Sequence, residues 1–284
     1  MADAPFPPGL DDPGRLVDCG GFTLWASDIG DGDPITLIGG FSAGHHAFDY
    51  LRPHLSSYRT VTWEPRGLGA SDCPDPATTA YGADLWARDL AALLDTLGIE
   101  RTHLWAAGFG NYIGVRFAAE FPERVGAFVG YTDTWAGDPA KAYDRIWNVY
   151  RTIVENFGTK GVGARMLAGI FDVPLPWFAA WETRNIEEVL HPETVAATVG
   201  YGLTGGDVRA DLPRIEAPML VLQGDLGWAG GKPDEDASLL LMQQHVRSLA
   251  VEVIPDSHPQ YVLVQRPEAC AAAATAFFER HPLG

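Results

Sequence analysis

The stretch HLWAAGFGNYIG, residues 103–114, decides how this chain is read. Its first residues form a short apolar run of the kind that fills a buried strand, and NYIG opens a helix. Between them Ala107, Gly108, Phe109 and Gly110 make a sharp turn. In many enzymes a strand–turn–helix of this shape displays a reactive side chain. None of these four residues can act as a nucleophile.

Working outward, the same alternation of short strand and helix recurs on both sides. RLVDCGG and FTLWASDIG read as a hairpin turned by Gly20 and Gly21. ITLIGG (35–40) is a strand ending in glycines, HAFDYLRPHLSS reads as a helix, and RTVTWEP (59–65) is the next strand. DLWARDLAALLDTLG places Trp86, Leu90, Leu93, Leu94 and Leu97 on one helical face, and Gly98 stops it. RVGAFVGYTD, MLVLQG and AVEVIP are further strands, DASLLLMQQHVRS a helix, and the chain closes on a helix through Ala271 to Glu279. Alternating short apolar strands and helices predict an α/β fold with a mostly parallel sheet, covered by helices on both faces.

The alternation breaks between about Gly137 and Asp211. Asp138-Pro139 is a helix start, and Tyr143, Ile146, Trp147, Tyr150, Ile153, Val154 and Phe157 share one face after it. The expected organisation is therefore a core made of residues 1–136 and 211–284, with a helical lid at 137–210. Such a lid would lie over the crevice at the carboxyl ends of the strands.

Bulk properties narrow the classes of function. The chain has 284 residues, 46% of them hydrophobic, enough for a sizeable core. A formal net charge of -17 disfavours nucleic acid and anionic membrane surfaces as partners. No apolar run approaches the ~18 residues of a membrane helix. MADAPFPPGLDD lacks the basic and apolar regions of a signal peptide. Cys19, Cys73 and Cys270 are too few and too far apart for a disulfide framework, which suits a cytoplasmic protein. No metal-ligand cluster, P-loop or dinucleotide fingerprint is legible, so no cofactor or metal is expected. The expected partner is a small hydrophobic molecule, bound by a monomer or homodimer.

Taken together, these segments resemble the α/β-hydrolase superfamily over nearly the whole chain outside the insertion. LIGGFSAG stands where the family has its oxyanion loop, EPRGLGAS where it has D-x-R-G-x-G-x-S, and IPDSHPQYVLVQRPEA where it carries its catalytic histidine. FAAEFPERV aligns with the family's helix end without a gap. Counting back from it, the family's G-x-S-x-G becomes Ala106-Ala107-Gly108-Phe109-Gly110, so Gly108 occupies the nucleophile position. The nucleophile normally sits in a strained conformation that projects its side chain. That strain costs roughly 1–3 kcal/mol for a residue with a Cβ, and glycine escapes it. Other positions depart too: Gly39 replaces the family His, Glu64 the family Asp, and Gly227 the usual acid after the seventh strand.

The resemblance implies a catalytic role for His258 as general base. It also implies that Asp133, 25 positions after Gly108 (133 minus 108), orients it, as in haloalkane dehalogenases and the cofactor-free dioxygenases of this fold. The backbone N–H groups of Phe41 and Phe109 would form the oxyanion hole. Trp135, Trp147, Trp177, Phe178, Trp181 and Trp228 would line an apolar, aromatic ligand site, with His45 and His46 as further candidates facing it. The implied activity is non-covalent base chemistry of the lyase, cyclase, decarboxylase or cofactor-free oxygenase type. Three alternatives stay open: a non-catalytic ligand-binding protein of the same fold, a serine hydrolase inactivated by a Ser-to-Gly change at position 108, and hydrolysis in which His258 activates water directly.

Overall fold

In the computed structural model the described residues are 13–130, 142–170, 175–204, 207–226, 237–259 and 261–284. Among them, eight strands form one sheet: β1 (Arg15–Asp18), β2 (Thr23–Ile29), β3 (Pro34–Ile38), β4 (Arg59–Trp63), β5 (Thr102–Ala106), β6 (Val125–Gly130), β7 (Met219–Gly224) and β8 (Leu249–Ile254). Their order across the sheet is β1-β2-β4-β3-β5-β6-β7-β8. The first hairpin and the β2–β4 pair are antiparallel, and every other pair is parallel. Strands β5, β6 and β7 are buried at every residue. Full burial is the mark of strands covered on both faces, and explains why these segments read as continuous apolar runs.

The covering helices follow from sequence periodicity. In α1 (Ala83–Thr96), Trp86, Leu90, Leu93 and Leu94 are buried on one face, and Gly98 ends the helix with φ +68°. Helix α2 (Gly110–Glu120) packs beside it on the same side of the sheet. The opposite face is covered by α8 (Val262–Gln265), α9 (Pro267–Glu279) and the segment after β3, where Phe48, Leu51 and Leu55 meet Cys270, Ala274 and Phe277. Helix α7 (Ala237–His245) links β7 to β8.

One helix expected from sequence does not form. HAFDYLRPHLSS folds instead as two one-turn 3₁₀ helices, His45–Phe48 and Arg52–Leu55. Pro53 begins the second, and it has no N–H to continue an α-helix from the first. The face drawn along α3 (Ala142–Phe157) also ends early. Tyr150 and Ile153 are buried, whereas Phe157, in the last turn, is exposed.

Helices α3, α4 (Val162–Ala168), α5 (Phe178–Val189) and α6 (Pro192–Thr204) all lie between β6 and β7 in sequence. They are fastened to the loop after β4. The Gly69 amide donates to the Val189 carbonyl at 2.9 Å, the Thr194 hydroxyl to the Gly67 carbonyl at 2.6 Å, and Leu68 bridges Leu190. The same loop is held from the core by Arg66, which grips Asp89 with two N–H groups, while the Trp86 indole donates to the Arg66 carbonyl at 3.0 Å. A bidentate guanidinium–carboxylate pair fixes orientation as well as position.

Backbone packs closely at the start of α2. A Cβ on Gly110 would overlap the carbonyl oxygens of Ile38 and Gly39 at the end of β3. Backbone has little room to yield, so Gly110→Ala is expected to destabilise the chain by about 2–4 kcal/mol. Gly98→Ala, whose Cβ would meet nothing within 4 Å, is expected to lose only the ~1–2 kcal/mol of left-handed strain. Urea melts of the two variants check this, and a smaller loss at Gly110 than at Gly98 would contradict it.

Candidate active site

The turn between β5 and α2 has the geometry that its sequence suggests. Gly108 has φ +52° and is half-buried. The Ala107 amide donates to the Ile38 carbonyl, Gly110 to Ala107 and Asn111 to Gly108, each at 2.9 Å. The elbow is therefore tied to the end of β3 and closes into the first turn of α2. Gly108 occupies the left-handed region that a nucleophile would have to enter under strain.

The oxyanion loop lies directly beside it. The Gly44 amide donates to the Gly40 carbonyl at 3.0 Å, closing a tight turn around Phe41. A Cβ at Gly39 would run into the Gly44 carbonyl. The rings of Phe41 and Phe109 meet at 5.5 Å, so the two backbone segments assigned to the oxyanion hole are packed side by side. Phe109 is also the N-cap of α2, where the positive end of the helix dipole adds to any anion stabilisation.

His258 lies just past β8, half-buried, in a loop that returns to the sheet. Its amide donates to Gln265 Oε1 at 2.7 Å, and its ring is 5.7 Å from that of Tyr261. Burial lowers its pKa below the usual imidazole value, which keeps it neutral at pH 7 and able to accept a proton. Two nearby carboxylates are engaged with other groups. Asp225 accepts the Ser257 amide at 3.2 Å, and Asp256 pairs with Arg266 at 3.4 Å. Asp133, Trp135 and Trp228 lie outside the described residues, as does the side chain of Trp147.

The three remaining aromatic candidates are brought together on α5 and the residue before it. Trp177, Phe178 and Trp181 pack with Tyr50 and Tyr261 into a separate cluster, the Phe178 and Tyr261 rings meeting edge-on at 4.5 Å. Phe178 and Trp181 are fully buried in this contact, so they join the helical insertion to the histidine loop, and Trp177 is only half-buried.

Sequence reasoning missed a polar group at the same place. Glu182, 1% exposed, accepts a hydrogen bond on Oε1 from the Ser42 hydroxyl, the residue after Phe41. Its Oε2 has no hydrogen-bond partner among the described residues. Tyr150 is buried nearby and is hydrogen-bonded to Ser42, and its ring meets that of Phe41 at 6.1 Å. Burial pushes the Glu182 pKa up to about 7, against the opposing pull of Ser42 and His46. One signal was available. Glu182 and Asn185 share a helical face with Phe178, Trp181, Ile186 and Val189, and a carboxyl on an apolar face has a reason to be there.

The turn between β5 and α2 thus carries glycine at 108 and no nucleophilic side chain at residues 107–110. Residues 33–160 match the family described as the alpha/beta hydrolase fold. The chain is 35% identical over 115 residues to 2-hydroxy-6-oxo-2,4-heptadienoate hydrolase of Pseudomonas putida, a match covering 39% of this chain but only 41% of that enzyme. It is 27% identical over 278 residues to 2-(acetamidomethylene)succinate hydrolase of Mesorhizobium japonicum, covering 93% and 95% of the two. A thermophilic esterase from Thermogutta terrifontis superposes with a TM-score of 0.77 at 23% identity, over 92% of this chain and 95% of the esterase. The chain has the α/β-hydrolase fold, and residues 33–160 resemble that family in sequence. Among the described residues, no helix is long and apolar enough to cross a membrane.

Two outcomes are expected from this arrangement. Gly108→Ser is expected to fold but to lose on the order of 1 kcal/mol, because it restores a Cβ to the left-handed position; denaturant melts showing equal or greater stability would contradict the assignment of the elbow. The second concerns Glu182, whose folded pKa of about 7 lies above its ordinary value of 4.5. Between those values the folded chain holds a proton that the unfolded chain has released. The stabilisation from that proton is therefore complete below 4.5 and lost as pH rises through about 7. Glu182→Gln, neutral throughout, is expected to gain roughly 2–3 kcal/mol on the parent chain between pH 5 and pH 8. A stability difference that is the same at both pH values would refute the raised pKa.

Proposed function

We propose that this chain is an enzyme that performs non-covalent acid–base chemistry in an α/β-hydrolase pocket. The observation that carries the reading is Gly108 in the left-handed conformation at the elbow: the turn is kept and the nucleophile is absent. His258, neutral through burial, takes a proton from the bound substrate, with Asp133 proposed to orient its ring. The amides of Phe41 and Phe109 hold the developing oxyanion, each such donor contributing on the order of 3 kcal/mol in related sites. Chemistry of the lyase, cyclase or decarboxylase type needs only these parts, and the cofactor-free oxygenase type needs O2 as co-substrate besides. The substrate is a small, mostly apolar and enolisable molecule, in keeping with the aromatic surroundings of the loops.

A second reading is favoured by the names of the relatives, which are hydrolases of small oxo and enamide acids. In it His258 activates a water molecule that attacks the substrate directly. Both readings exclude a covalent intermediate on the elbow, and that is the point to test.

The chain is expected to show no labelling by a fluorophosphonate probe and negligible turnover of p-nitrophenyl esters through an acyl-enzyme. Against a panel of enolisable ketones and 2-hydroxy-6-oxo-dienoates, it is expected to catalyse exchange of the acidic C–H in D2O, followed by NMR. His258→Ala is expected to lower that rate roughly 10²–10⁴-fold, and Asp133→Asn to lower it less. Hydrolysis without labelling, also lost in His258→Ala, would select the second reading. Stoichiometric labelling of the chain, or exchange undiminished in His258→Ala, would overturn the account.

A further inference from the structure

Just past the oxyanion loop, two adjacent histidines face a carboxylate from the helical insertion. His45 and His46 begin the one-turn helix after Gly44, and Glu188 is in the last turn of α5. One ring nitrogen of each histidine and one oxygen of Glu188 lie within 4.8 Å of one another. The two rings are tilted together, with centroids 3.9 Å apart.

Each ring is held from behind by its own carboxylate. His45 Nδ1 lies 2.5 Å from Glu64 Oε1, which also accepts the His45 amide at 2.9 Å. His46 Nδ1 lies 2.8 Å from Asp49 Oδ2. A carboxylate only accepts, so Nδ1 donates in both rings, and in the neutral form of each ring Nε2 carries the lone pair. His46 Nε2 is buried without a hydrogen-bond partner among the described residues and faces Glu188 Oε2 at 3.3 Å. At that distance the pair needs a positive species between them, either a proton on Nε2 or a bound cation.

Glu64 is itself built in. It is fully buried, wedged between Gly44 and Gly69, at either of which a Cβ would collide with it. Both glycines have positive φ, so the backbone is shaped to admit this carboxylate. Its role at the site is to fix the tautomer and orientation of His45. A carboxylate behind each imidazole is the arrangement that orients and strengthens histidine as a metal ligand.

We propose that His45, His46 and Glu188 form a binding site for one divalent transition-metal ion of the Zn2+, Ni2+ or Co2+ type. Two imidazoles and one carboxylate are a borderline N2O donor set that suits these ions rather than Mg2+ or Ca2+. Three protein ligands leave a coordination position for water, and an adjacent cleft of about 140 Å3, lined by Trp25, His45, Glu64, Gly69 and Glu188, has room for it. The ion would fasten α5 to the segment that begins at the oxyanion loop, four residues after Phe41. The sequence shows no metal-ligand spacing because Glu188 comes from the insertion, far from His45 and His46 in the chain. The rival is an ordinary ion pair between a protonated His46 and Glu188, in which His45 has no part.

Calorimetric titration of Zn2+ into the tag-free, chelator-treated full chain tests the proposal. The expected result is one saturable equivalent. Glu188→Gln, His46→Ala and His45→Ala are each expected to weaken it at least ~10-fold, and Asp49→Asn by about 10–100-fold through the orientation of His46. His54→Ala, an exposed histidine outside the cluster, is expected to leave affinity unchanged. Circular dichroism checks folding. If a histidine variant does not fold, the half-exposed Glu188 decides alone, since its carboxamide is tolerated at the surface. Absence of saturable uptake, uptake unchanged by Glu188→Gln, or uptake lost in His54→Ala overturns the proposal. Uptake that survives His45→Ala but not His46→Ala overturns the three-residue site.

Discussion

The approach of Gly110 to the carbonyls of Ile38 and Gly39 is the constraint on which the site depends. It brings the first turn of α2 against the end of β3, so the elbow and the oxyanion loop become one surface. The Phe41 and Phe109 rings pack across that seam, and Trp86 of α1 meets Phe109 from behind at 5.2 Å. None of these contacts needs a side chain at position 108. The shape of the elbow is fixed by backbone contact and by aromatic packing.

Much of the polar chemistry sits in the contact between the oxyanion loop and the helical insertion. Ser42, Tyr150 and Glu182 form one buried group, and His45, His46 and Glu188 a second. Glu182 and Glu188 are both on α5, six residues apart, so a single helix carries a carboxyl to each group. Burying a carboxyl is costly unless it is neutral or paired. The first group meets that cost by a raised pKa, whereas Glu188 in the second is half-exposed and incurs little of it. Both groups link the position of the insertion to the position of Phe41.

The fold was largely legible, for reasons that differ between segments. Strands β5, β6 and β7 are buried on both faces, so their apolar runs were unmistakable. Helix α1 carries a regular apolar stripe and a glycine stop. The turn was marked by glycines, and Gly108 there takes a positive φ. HAFDYLRPHLSS misled because its apolar spacing suits a helix, while Pro53 and the close turn at Gly44 divide it into two single turns. Glu182 was not singled out, although it shares a helical face with apolar residues, because its partners Ser42 and Tyr150 come from distant segments and meet it only in the fold.

The sequence by itself determined the alternating α/β architecture, the helical insertion between β6 and β7, and the glycine at the elbow. Those features rest on local patterns: periodicity, turn chemistry and the identity of one residue. Tertiary structure decided which polar groups meet. Glu64 lies behind His45, Glu188 faces His46, and Glu182 reaches Ser42 across 140 positions of chain. Such pairs carry no signature in spacing, because the protonation and partners of a buried group are set by what packs around it. That packing is a property of the folded chain as a whole.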